Sequence, residues 1–154
     1  MLLPLIAVAC YVIGACWLAA ATYQHRSDPF SVHGRGGRIA AAAIACVGVL
    51  VHASAMLQER RLAPGAALSL GDTLALVSLT IAITAIVMAV KPGRRGMAAL
   101  LLLIAAILEA AFSEGARKFS IGQPGWELAF HVAMATTAFA FLTIGMALAI
   151  AQVI

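Results

Sequence analysis

Five long apolar runs dominate this sequence and limit what it can fold into. They cover about 2–23, 39–57, 73–90, 97–112 and 128–154. A helix needs roughly 20 mostly apolar residues to cross ~30 Å of hydrocarbon. The fourth run is short for that task and the fifth is longer than it needs. None of the five alternates with period two, and a spanning backbone must satisfy its own hydrogen bonds, so helices are expected. The first run lacks a positively charged n-region and exceeds an ordinary h-region, so it reads as a span and not as a signal peptide. Of all residues 64% are apolar and 10% charged, against about 45–50% and ~25% in soluble domains. That excludes a water-soluble globule. The expected architecture is all-α: one polytopic transmembrane domain over 1–154, a bundle of about five helices.

The gaps carry turn chemistry. Residues 24–38 include Asp28–Pro29 and Gly34-Arg-Gly-Gly-Arg38; residues 58–71 include Pro64–Gly65. Residues 91–96 read Lys-Pro-Gly-Arg-Arg-Gly, and residues 115–126 end in Pro124-Gly-Trp126. These are expected to be interfacial loops, with His25 and His33 solvated in the first of them. Asp72 reads as the N-cap of the third span, and Glu127 suits the positive end of the fifth helix.

The net charge of +4 does not indicate a nucleic-acid partner, because the basic residues sit in short gaps and not on one polar face. They act as topology signals. The first and third gaps hold Arg26, Arg35, Arg38, Lys91, Arg94 and Arg95; the second and fourth hold Arg60, Arg61, Arg117 and Lys118. The positive-inside rule therefore puts the first and third gaps in the cytoplasm and the N-terminus outside. Small residues inside the spans, with Gly14, Gly48 and Gly145 among them, allow close helix approach.

Ionisable groups within a span cost roughly 2.5–3.5 kcal/mol each, which makes them functional candidates. Three stand out: His52, Glu109 and His131. In the expected orientation each lies four to six residues below the outer end of its helix, about 6–9 Å at ~1.5 Å per residue. Met56 follows His52 by four residues and Met134 follows His131 by three, so each pair shares a helix face. Imidazole and thioether hold haem iron, and soft sulfur also favours Cu(I). A carboxylate at the same depth can orient a ligating imidazole through its second nitrogen.

Plainer roles compete. An intramembrane histidine often joins helices by hydrogen bonding, methionine often fills a bundle, and Glu109 is near enough to Ser113 to reach the interface. Trp126 reads as an interfacial belt residue. Cys10, Cys16 and Cys46 all fall inside spans, and with no Cys-x-x-Cys they read as small apolar fillers. No phosphate loop, His-Glu-x-x-His, Gly-x-Ser-x-Gly or dinucleotide fingerprint occurs, and no catalytic set is assembled.

Around His131 the pattern resembles a known family. Leu128-Ala-Phe-His-Val-Ala-Met-Ala-Thr-Thr-Ala-Phe-Ala-Phe-Leu is similar to the histidine-bearing helix of the cytochrome c assembly family (the CcsA/ResC/CcmC type), which begins with a His-Val-Ser-Met-Met-like stretch. Leu68-Ser-Leu-Gly-Asp-Thr-Leu-Ala-Leu-Val-Ser-Leu looks like that family's Leu-Ser-Asn-Leu-Tyr-Glu-Ser-Leu segment. Val51-His-Ala-Ser-Ala-Met looks like the histidine-bearing second helix of its shorter, YpjD-like branch. The order of elements fits over about 40–154.

The resemblance implies a haem-handling protein of the bacterial inner membrane, presenting haem at the outer face for attachment to apocytochrome c together with other assembly proteins. It implies His131 as an axial ligand of the haem iron. His52 is then the opposite ligand or a helix-joining residue, with Met134 and Glu109 as further cofactor-binding candidates. Haem-presenting members carry a Trp-rich segment and a second external histidine after this helix, so the chain is expected to match the N-terminal portion of a longer member and not to be an enzyme in the turnover sense. Two other readings stand beside this one. One is a small transporter or Cu(I)-handling module that uses the His/Met pairs, with hydroxyls such as Thr80, Thr84, Thr136, Thr137 and Thr143 as the other inner polar groups. The other is a structural membrane subunit without a cofactor.

Overall fold

The chain is all-helical across the residues described, which in this computed structural model are 2–27, 33–62, 70–91, 93–112, 131, 134–135, 138–146 and 149. Four helices form in order: α1 (Leu2–Ser27), α2 (His33–Leu62), α3 (Leu70–Val90) and α4 (Arg95–Phe112). A further helical stretch covers 138–146. Three segments are long and apolar enough to cross a membrane: Leu2–Tyr23, Ile39–Gln58 and Gly71–Ala89. They coincide with the first three expected spans. The fourth expected span is the 18-residue helix α4, and most of the fifth lies outside the described residues.

Two boundaries differ from expectation. The glycine-rich stretch Gly34–Arg38 is helical and opens α2, so His25 and His33 sit on helix ends and not in a loop. Each interior glycine costs a helix about 1 kcal/mol, but Gly37 also brings α2 close to Trp17: a Cβ there would stand 3.3 Å from the indole nitrogen. Asp72 lies within the first turn of α3 and not at its cap, where its charge still favours the positive helix end. Between α3 and α4 the chain turns on Gly93, whose φ of +83° strains any residue with a Cβ. The Arg94 amide donates to the Lys91 carbonyl at 3.3 Å to close that turn.

α1 packs on α2 and α4, and α3 packs on α4 and α2. The helices thus form a closed square in which α2 and α4 are diagonal. α1 and α2 run antiparallel, since Cys10 and Tyr11 meet Gly48, Gly14 meets Ala41 and Ala45, and Trp17 meets Gly37. The interior is built of small side chains, among them Ala7, Ala15, Ala45, Ala82, Ala85 and Ala105, around Tyr11, Ile81, Leu101 and Leu102. Ala140 and Ile144 of the 138–146 stretch join the same core. Large apolar side chains point outward instead, such as Leu5, Leu50, Val87, Ile107 and Phe141. A soluble monomer does not expose such a continuous surface; a bilayer accommodates it.

Candidate functional site

Among the described residues, the buried polar or charged side chains are His52, Glu109 and Ser78. Ser78 donates to the Ala105 carbonyl at 2.9 Å and ties α3 to α4. The other two meet. His52 Nε2 of α2 stands 3.1 Å from Glu109 Oε2 of α4, across the diagonal of the bundle. The approach is close but lies outside hydrogen-bond direction, so it is a Coulombic contact and not an aligned bond. On the opposite edge of the ring, Nδ1 lies 3.1 Å from the Tyr11 hydroxyl of α1, in hydrogen-bonding geometry. One histidine thus links three helices at 0% exposure.

Local sequence makes the triad possible. Gly48 sits one turn before His52, and a Cβ there would fall 2.9 Å from both Cys10 Cβ and Tyr11 Cε1. Its missing side chain is the space that the Tyr11 ring occupies, with the Tyr11 and His52 ring centroids 6.1 Å apart. Glu109 is one turn before the end of α4 at Phe112, and Ala110 and Ala111 beside it are exposed.

Of the residues singled out in the sequence, His52 and Glu109 come together. His131 carries an exposed side chain on helical backbone, and Met134 is 57% exposed. The loop residues Arg117, Lys118, Trp126 and Glu127 lie outside the described residues, as do Thr136 and Thr137. Thr80, Thr84 and Thr143 donate to the carbonyls of Leu76, Thr80 and Phe139 four residues back. Their hydroxyls are therefore occupied locally and line no interior path. Cys16 and Cys46 are exposed free thiols and Cys10 is half-buried.

Tyr11 was not among the sequence-level candidates. A tyrosine in a span usually reads as an interfacial residue. The signal that marks it is the pairing of its depth in α1 with a glycine on α2 one turn from a histidine.

At His52 the donor chemistry does not fit haem. In this conformation both ring nitrogens of His52 face side-chain oxygens at 3.1 Å, so neither is open to iron without displacing Tyr11 or Glu109. The His131 side chain is exposed, and imidazole is a donor that haem iron takes. Among the described residues, no three His, Cys, Asp or Glu side chains cluster as a metal site. Comparison with known proteins returned no match to any family model, any curated protein or any solved structure.

Proposed function

We propose that this chain is an integral membrane protein that handles haem in cytochrome c-type biogenesis, in the bacterial inner membrane with its N-terminus on the periplasmic side. His131 is its axial ligand to the haem iron. The observation that carries this reading is the exposed imidazole of His131, within the segment that resembles the histidine-bearing helix of the cytochrome c assembly family. Met134, exposed one turn further on, covers the same helix face. Bound haem supplies an iron that takes nitrogen and sulfur ligands and a group for transfer to apocytochrome c.

The chain's own part is to hold and position. His131 binds the haem iron, and the Tyr11–His52–Glu109 contact keeps α1, α2 and α4 in fixed relation. His52 acts as a helix-joining residue and Glu109 orients its ring, so neither is a ligand in this reading. Partner assembly proteins carry out the attachment, and the chain does not turn over substrate.

The test is the absorption spectrum of detergent-purified protein expressed with haem available. A Soret band in the wild type that is lost in His131→Ala and kept in His52→Gln is the expected result. No Soret band in the wild type would falsify haem binding by this chain.

A second reading is favoured by one observation: both edges of the His52 ring are engaged. A structural subunit without cofactor needs nothing more than that. It predicts no Soret band and an unchanged bundle in His131→Gln.

A further inference from the structure

The two partners of His52 engage different nitrogens, on opposite edges of its ring. A single cation cannot be shared by all three groups in that arrangement, but a proton can. We propose that Tyr11, His52 and Glu109 form a one-proton store within the bundle, filled and emptied from the end where α4 terminates. This is independent of the haem reading.

The carboxyl and imidazole groups hold one dissociable proton between them when the cluster is neutral. It resides either as imidazolium beside carboxylate or as neutral imidazole beside carboxylic acid. Both forms avoid a net charge in an apolar interior, where an isolated ion is very costly. Loss of that proton leaves neutral imidazole and carboxylate, with Nε2 still 3.1 Å from Glu109 Oε2 and the Tyr11 hydroxyl donating to Nδ1. The phenol makes this reversible, because its oxygen donates to a bare Nδ1 and accepts from a protonated one. His52 therefore keeps its contacts whether the store is full or empty.

The helices around the cluster carry other ionisable residues. α1 adds Cys10 beside Tyr11 and Cys16 further along, and α2 adds Cys46. Glu59, Arg60 and Arg61 follow His52 on α2 by seven to nine residues. α3 carries Asp72 in its first turn and no other ionisable residue as far as Val90, and the 138–146 stretch has none. On α4 the other charged residue is Arg95, fourteen residues away and so ~21 Å along the helix. Among the described residues, the ion-pair contact of Glu109 is with His52. Glu109 is 5% exposed and lies one turn from the end of α4, which makes it the member of the cluster nearest a helix terminus.

The experiment is infrared difference spectroscopy of the haem-free full chain in detergent, between about pH 4 and pH 10, which brackets ordinary carboxyl and imidazole titration. The expected result is a carboxylic-acid band exchanging for a carboxylate band, absent from Glu109→Gln, with its midpoint moved by about one pH unit (tenfold in proton affinity) in Tyr11→Phe. A Glu109→Gln spectrum identical to wild type, with helical circular dichroism retained, overturns the store and leaves a packing clamp. Should Glu109→Gln not fold, Tyr11→Phe decides: an unmoved carboxyl midpoint overturns the proposal and a moved one supports it. Absence of a Soret band bears only on the haem reading, because these spectra are taken without haem.

Discussion

The hydroxyl of Tyr11 lies 3.1 Å from Nδ1 of His52, although 41 residues separate them in the chain. That hydrogen bond joins α1 to α2 at a buried point, and the same ring extends the connection to Glu109 on α4. In an apolar interior each such group depends on the others for its partners.

Removing the phenol oxygen tests the strength of this link. Tyr11→Phe keeps the ring in the Gly48 notch but leaves Nδ1 without a partner. Interhelical hydrogen bonds in membranes average roughly 0.6 kcal/mol and reach about 1.7, and burial puts this one toward the upper end. Thermal unfolding in detergent, followed by circular dichroism, is expected to show that loss; a melting curve equal to wild type would show that the bond contributes nothing net.

Gly48→Ala should be worse than its one-carbon change implies. The new Cβ falls 2.9 Å from Cys10 Cβ and the Tyr11 ring, and the backbone-linked Cβ of Cys10 moves only if α1 moves. Overpacking of this kind costs about 1–3 kcal/mol. Gly36→Ala is the matched control, since nothing lies within 4 Å of its Cβ position; there the helix gains about 0.5–1 kcal/mol. Opposite shifts in melting temperature are the expected pair, and equal shifts would mean that α1 and α2 do not pack as closely as described.

At the α3–α4 turn, Gly93→Ala forces a Cβ into the left-handed region at φ +83°. The cost is about 1–2 kcal/mol and is purely conformational, because the position has open space around it. Gly96→Ala, likewise open but inside α4, should not lose stability. A comparison of the two unfolding midpoints checks the backbone argument directly.

His131→Ala and His52→Ala should separate ligand from scaffold. His131 is exposed, so its loss is expected to change stability by less than about 0.5 kcal/mol. His52→Ala empties a buried site, strands the Glu109 carboxyl and should cost several times more, in line with the loss of a buried polar partner. If both variants unfold together, His131 has packing contacts beyond those described.

Helical class and the first three spans were legible in the chain itself, because an apolar run of about 20 residues has few alternatives in lipid. The depth of His52 and of Glu109 was readable for the same reason: a helix rises by a constant ~1.5 Å per residue. Helix ends were less so. The Gly34–Arg38 stretch has turn-like composition yet is helical, since turn propensity is a weak local preference that a neighbouring helix can override.

Which way each side chain faces was decided only by the tertiary structure. Depth along a helix is one coordinate, and rotation about it is another that no single run of sequence records. By sequence His52, Glu109 and His131 have one expected depth; helix packing turned His52 and Glu109 inward to meet, whereas His131 is exposed. Tyr11 entered the site through a property of its neighbour, the missing Cβ of Gly48. Such a space exists only once α1 and α2 are set side by side.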